Sequence, residues 1–472
     1  MEARANRSFP ARPARRARLR NPAAAVALCL ACLATAAPVV TAAAAGPLEA
    51  APPPARSLAA APRWPTGPEW TEGPDRAALA RDLDAVRDAG MYGAYASVRD
   101  GAVGWDGATG VADLDTGRPT RPGMEHRVGS VTKSFTAVAV LQQSAAGRIG
   151  LDAPIGDYLP DLVPGERGRR ITVRMLMNHT SGIADYVPRA FPSLAGGSAA
   201  SLDEFRHRTL LPATLIGWGL DAPQVFAPGT DWSYSNTNYV LLGELLREVT
   251  GRDPEEVITR DVIRRAGLRH TYFPGTDPLI AGPHAKLYES FHGLIDPPRD
   301  YSEYDMTMAG TAGALISTPR DLNTFYRALL RGGLLPAAQL REMRTTHPVT
   351  DDAGRVIAGY GLGIYTVDTP CGPAWGHDGS VWGAGTTALS SADGGRQFAV
   401  GFNLSKYQLN DAEGRPVPHP VDAALDRLQT RALCGTGAPA PAPLPFAPPQ
   451  TDPLEAPLVP PSLSAATGQR LR

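Results

Sequence analysis

Ser130 and Lys133 stand three positions apart in the stretch HRVGSVTKSFTAVAVL, His126 to Leu141. A serine hydroxyl is a poor nucleophile until a base takes its proton. Lysine can be that base when burial or neighbouring cations bring its pKa from roughly 10.4 toward neutrality, whereas arginine stays protonated. Composition makes the choice of lysine informative. Of 46 Lys and Arg residues only three are lysines, Lys133, Lys286 and Lys406. A structural charge is arginine nearly everywhere else in this chain, so a lysine here points to proton transfer. Gly129 breaks the chain just before Ser130, and the following residues predict a helix running to Gly147 with Val131, Phe135 and Val138 on one face. Ser130 then sits by the positive end of the helix dipole, with Lys133 one turn further on nearly the same face. Alone, the pair also fits a capped surface helix.

Two more segments carry matching chemistry. Tyr234-Ser235-Asn236 precedes a helix that turns apolar at Tyr239, Leu242, Leu245 and Leu246. A tyrosine phenol relays protons, and an asparagine amide both orients a lysine and holds a substrate carbonyl or amide. His377-Asp378-Gly379, followed by Ser380, is placed between one predicted strand and the next, where Gly379 lets a ligand approach the backbone closely. An ordinary turn explains either segment taken singly. The histidines show no His-Glu-x-x-His spacing and the serines no Gly-x-Ser-x-Gly elbow, so neither a metal nor a rival nucleophile is called for.

The elements that must position these residues come from both ends of the chain. DRAALARDLDAVRDAG, capped by Asp75 and stopped at Gly90, repeats Leu79, Leu83 and Val86 at helical spacing. YGAYASV and AVGWDGATG flank RDG and predict a hairpin. GYGLGIYT alternates Tyr360, Leu362 and Ile364, and RQFAVGFNLS alternates Phe398, Val400, Phe402 and Leu404, both strand periods. HPVDAALDRLQTRALC returns to helical spacing through Val421, Leu425, Leu428 and Ala432. Short connections between the late strands favour antiparallel pairing. The expected fold is therefore α/β of the α+β kind: one antiparallel sheet formed from both chain ends and flanked by helices, with a mainly helical region at roughly 140–340 inserted between them.

Outside that unit, set at 75–435, the composition changes. Residues 1–45 combine an arginine-rich start with the apolar run AAAVALCLACLATAA and small-residue cleavage sites, the layout of an export signal; a retained membrane anchor is the alternative. Residues 46–74 form a Pro/Ala-rich linker, and 436–472 a Pro-rich tail expected to be disordered. Cys29 and Cys32 leave with the signal. Cys371 and Cys434 remain, read as one disulfide of an exported protein or as two buried thiols. A disulfide would close a loop of about 64 residues, for which chain entropy gives roughly 4 kcal/mol. A net charge of −1 offers no basic face for nucleic acid, and a monomer is expected.

Taken in order, Ser130-x-x-Lys133, Tyr234-x-Asn236 and His377-x-Gly379 resemble the serine hydrolases of the penicillin-binding protein and class C β-lactamase superfamily. ITVRMLMNHTSGIADY, FAPGTDWSYSNTNYVLLGELLREVTG and MAGTAGALISTPRDLNTFYRALL extend the likeness over most of the core, which looks most like secreted actinobacterial D-alanyl-D-alanine carboxypeptidases, paired cysteines included. The resemblance implies a β-lactamase/transpeptidase-like fold and acyl transfer without a cofactor. Ser130, Lys133 and Tyr234 would be catalytic, Asn236, His377, Asp378, Gly379 and Ser380 would bind substrate, and the oxyanion hole would use backbone N–H groups of Ser130 and of Val381 to Gly383. Cell-wall peptides or other small acyl compounds would be the substrates, and β-lactams possible acylating ligands. Asp378 departs from the family's usual threonine and, ionised beside a free carboxylate, would repel it. IYTVDTP, Ile364 to Pro370, also lacks the cation that carboxypeptidase relatives can offer there. A β-lactamase-fold esterase, a β-lactamase and a catalytically inactive penicillin-binding relative therefore stand beside the carboxypeptidase reading.

Overall fold

The structure, a computed structural model, describes residues 73–351, 354–412 and 414–435. The expected export signal, the linker up to residue 72 and the Pro-rich tail lie outside the described residues. Helix α1, Arg76–Asp88, starts where Asp75 accepts a hydrogen bond from Ala78 N at 2.9 Å, and it buries Leu79, Leu83 and Val86. Strands β1, Gly93–Asp100, and β2, Val103–Asp113, form the expected hairpin, turned by Gly101 at φ +56°. A short β3, Arg118–Pro119, follows.

The remaining strands of the main sheet arrive after residue 346: β4, His347–Thr350; β5, Val356–Tyr360; β6, Tyr365–Thr369; β7, Gly372–Val381; β8, Ala384–Ser391; and β9, Arg396–Phe402. Together they make a nine-stranded antiparallel sheet in the order β3-β2-β1-β9-β8-β7-β6-β5-β4. The chain ends meet at β1 and β9, where Ala94 pairs with Phe402 and Asp100 with Arg396. Alternation on β9 sorts the two faces: Phe398 and Val400 join a core with α1 and the last helix, while Ala399 faces the core of the helical region.

That helical region lies between β3 and β4. It contains α2, Thr132–Ala145, α3, Asn236–Thr250, and α4, Pro319–Leu330; the chain then closes on α5, Pro420–Cys434, capped by His419 and Asp422. Helix α2 buries more than the face of Val131, Phe135 and Val138 read from sequence. Every residue from Thr132 to Leu141 is buried, because other helices cover the face away from the sheet. The run GYGLGIYT is likewise two strands rather than one. Gly361 N donates to Ile364 O at 2.8 Å and Gly363 takes φ +76°, turning the chain so that Tyr360 pairs with Tyr365. Cys371, between β6 and β7, is disulfide-bonded to Cys434 at the end of α5. Among the described residues no helix is long and apolar enough to cross a membrane.

Candidate active site

Gly129 to Val131 form a single 3-10 turn that leads into α2. Gly129 has φ +51°, and a side chain there would come within 2.9 Å of Ser380 N, so only glycine lets this turn lie against β7. Gly379 makes the reciprocal approach: a β carbon would collide with Val128 O and lie 2.9 Å from Ser130 N. The two glycines bring the Ser130 turn onto the stretch of β7 beyond Gly376, where its pairing with β6 has ended.

One turn into α2, the side chain of Lys133 is fully buried. Its Nζ donates to Ser130 Oγ at 3.0 Å, to Asn236 Oδ1 at 2.7 Å and to Ala312 O at 2.8 Å. Asn236 is the first residue of α3, and its own N–H is held by the Asp185 carboxylate. The Tyr234 ring faces the ammonium with its centroid 4.7 Å away. Ser130, Lys133, Tyr234 and Asn236, spread over more than a hundred residues of sequence, thus converge at the junction of α2, α3 and β7.

His377, Asp378 and Gly379 do not sit between strands as expected. They lie inside β7, paired with Ala388, Thr387 and Thr386 of β8, because the hairpin turn comes later at Trp382 and Gly383. His377 is fully buried in a hydrogen-bonded chain. Ser235 N–H and the Asn238 amide donate to His179 Nδ1, each at 3.2 Å, so the His179 proton is on Nε2. That nitrogen meets Tyr360 Oη at 3.3 Å; Tyr360 lies 2.9 Å from His377 Nε2, and His377 Nδ1 donates to Asp378 O at 2.5 Å. One direction of donation therefore runs from the Tyr234 loop to β7. Burial, and then the Lys133 charge, push the His377 pKa down to about 3, and the same causes hold His179 well below the usual histidine range. Both rings stay neutral at working pH.

Asp378 turns to the buried phenols. Burial first, and also the Asp378 charge, raise the pKa of Tyr365, Tyr360 and Tyr326. The pocket beside Ser130 is lined instead by Gly129, Asn236, Ser380, Val381, Trp382 and Lys406, with Tyr186, Val187 and Met308 on its apolar side. His179, Tyr360 and Lys406 were not singled out from sequence. For Lys406 the scarcity of lysine was the available signal; for the other two there was none beyond burial. Gly383, expected from sequence in the oxyanion hole, has its N–H bonded to Glu289 Oε2 and Ser405 Oγ, both at 3.0 Å. Among the described residues no group of His, Cys, Asp and Glu is arranged to hold a metal ion.

This sheet, with a Ser-x-x-Lys turn packed on one of its strands, defines a class that comparison with known proteins makes explicit. The beta-lactamase family profile matches residues 34–416, and the chain belongs to that family and is a serine hydrolase. The chain is 34% identical over 341 residues to a D-aminopeptidase of Cereibacter sphaeroides, covering 70% of this chain and 60% of the relative. Penicillin-binding protein 4 of Amycolatopsis lactamdurans is 28% identical over 349 residues, 67% of this chain and 87% of that one. Among solved structures, a D-stereospecific amidohydrolase from Streptomyces sp. is 39% identical with a TM-score of 0.64, covering 71% of this chain and 95% of its own.

Proposed function

We propose that this protein is an exported hydrolase that cleaves amide bonds of D-amino-acid compounds through an ester on Ser130, with D-alanyl-D-alanine peptides of the cell wall as the foremost substrates. The observation that carries the reading is the set of hydrogen-bond partners around Lys133. Asn236 Oδ1 and Ala312 O only accept hydrogen bonds, so in the neutral amine they engage both N–H groups. The lone pair then points at the third partner, the Ser130 hydroxyl 3.0 Å away. Lys133 accepts the proton as Ser130 Oγ attacks the substrate carbonyl, and the oxyanion is held by the backbone N–H groups of Ser130 and Ser380, which meet across Gly129. As the tetrahedral intermediate collapses, Tyr234 passes its proton to the leaving nitrogen and takes one from the adjacent Lys133 ammonium, which returns to the neutral amine. The amine departs, and water repeats the sequence on the ester to free the acid and Ser130.

The D-aminopeptidase, penicillin-binding protein and D-stereospecific amidohydrolase relatives support this substrate class. Export is supported by the composition of residues 1–45 and by the Cys371–Cys434 disulfide, a bond favoured outside the cytosol. Residues 75–435 would then be the catalytic unit, 46–74 a linker and 436–472 a tail. The test is release of D-alanine from a blocked peptide ending in D-alanyl-D-alanine, alongside hydrolysis of D- and L-alanine p-nitroanilides. Ser130-dependent turnover confined to D-configured compounds is expected. Equal turnover of the two enantiomers, or D-alanine release that survives Ser130→Ala, would contradict the reading.

A further inference from the structure

The mechanism leaves one lysine of the pocket without a role. Lys406, just past β9, lines the same pocket as Ser130, with 1% of its side chain exposed. Its Nζ donates to Ser380 Oγ at 3.2 Å and stands 5.3 Å from the Trp382 ring and 5.6 Å from the Phe291 ring. The simplest explanation is a counterion for Glu289, whose Oε2 is 3.7 Å away. That distance is too long for a hydrogen bond, and Glu289 is already served by other donors. Phe291 N–H reaches Oε1 at 2.8 Å, while Gly383 N–H at 3.0 Å and the Ser405 hydroxyl at 2.6 Å share Oε2. Glu289 ties loops together and stands 3.7 Å from the Lys406 ammonium on its buried side.

Two further observations set Lys406 apart. Its backbone has φ +47°, a conformation that is costly for a non-glycine residue and is retained where the surroundings demand it. It is also one of three lysines in a chain that otherwise uses arginine. Its compact ammonium sits between two rings and a hydroxyl. Ser380, accepting from Lys406, has its own O–H left to donate, and Ser380 N adjoins the Ser130 turn. Ammonium and hydroxyl together make a donor pair beside the reacting carbonyl. Asp378, which would oppose an anion there, is not among the residues that line the pocket, and its charge acts on the buried phenols Tyr365 and Tyr326.

We propose that Lys406, acting with the Ser380 hydroxyl, is the anion anchor of this site, so that the preferred substrate is a peptide whose leaving residue carries a free carboxylate. This rests on the acyl-enzyme reading of Ser130 and narrows it: a terminal carboxylate is favoured over a terminal amide. The experiment compares kcat/KM for a blocked tripeptide ending in D-alanyl-D-alanine and for the same tripeptide with a C-terminal carboxamide, in the wild type, Lys406→Gln and Ser380→Ala. The wild type should favour the carboxylate by about tenfold or more, Lys406→Gln should bring the ratio close to one mainly by raising KM for the acid, and Ser380→Ala should lower it about threefold. If Lys406→Gln does not fold, the Ser380→Ala ratio decides. A wild type that prefers the carboxamide, or a ratio unchanged in the variants, overturns the anchor while Ser130-dependent turnover keeps the acyl-enzyme reading intact. Failure of both peptides and of a neutral p-nitrophenyl ester to acylate Ser130 overturns the two together.

Discussion

Lys286 and Lys133 are the same residue in opposite surroundings. Lys286 lies partly exposed among carboxylates, with Asp115 at 2.8 Å, Asp113 at 3.5 Å and Asp300 at 3.8 Å, and the Asp115 hydrogen bond raises its pKa most. Lys133 is buried, and it donates to Asn236 Oδ1, Ala312 O and the Ser130 hydroxyl. Carboxylates hold a proton on an amine, whereas neutral acceptors chiefly orient it. The difference teaches that a rare residue type marks candidates, and that the acceptors around each one decide what it does. Lys286 is a surface counterion, and Lys133 is the proton carrier of the proposed reaction.

The sharpest way to break this comparison is to give both sites arginine. Lys133→Arg keeps the charge but cannot release the proton, and kcat/KM should fall by about a thousandfold or more at an unchanged fold, as read by circular dichroism and steady-state kinetics. Wild-type-like turnover in that variant would remove the proton-shuttle argument. A smaller effect is expected at Tyr360, whose hydroxyl joins His179 to His377 behind the site. Tyr360→Phe strands two buried imidazole nitrogens, so kcat should drop roughly tenfold with KM little changed, and stability should fall by about 1–3 kcal/mol in urea titrations. Loss of stability alone would make the chain a structural feature rather than a positioning one.

The comparison extends to carboxylates that lack a cation. Asp426 on α5 is buried beside Asp422, and burial first, then the Asp422 charge, raise its pKa to about 7. A carboxyl whose folded pKa exceeds its unfolded value near 3.8 binds more protons when folded, so its contribution to stability is present in acid and lost as pH rises through about 7. Asp426→Asn should therefore raise Tm by several degrees at pH 8, with roughly 2–4 °C per kcal/mol gained, and leave it near the wild-type value at pH 4. An equal shift at both pH values would mean that packing, not charge, is being read. The smallest effect closes the series. Lys286→Arg retains an exposed cation among the same carboxylates and should change Tm by less than about 2 °C and activity not at all.

How far sequence reaches is visible in these same residues. The approach of Lys133 to Ser130 was legible because it is local, two side chains one helical turn apart. The hairpin of β1 and β2, helices α1 and α5, and the joining of the chain ends into one sheet followed from period and turn chemistry. GYGLGIYT misled because Tyr360, Leu362 and Ile364 keep a strand period across a turn made by Gly361 and Gly363. His377 to Gly379 looked like a loop because glycine and aspartate disfavour strands; pairing with β8 overrides that preference. The turning of Asp378 toward Tyr365, the His179–Tyr360–His377 chain and the approach of Lys406 to Ser380 depend on strands meeting across the sheet. No local pattern encodes those contacts.

The most direct test of the account is intact-protein mass spectrometry of the wild type and Ser130→Ala after exposure to a labelled β-lactam. The account predicts one covalent adduct per wild-type chain, mapping to the peptide that contains Ser130, and none on the variant. An adduct of equal yield on Ser130→Ala, or one mapping to another segment of the wild type, would contradict it.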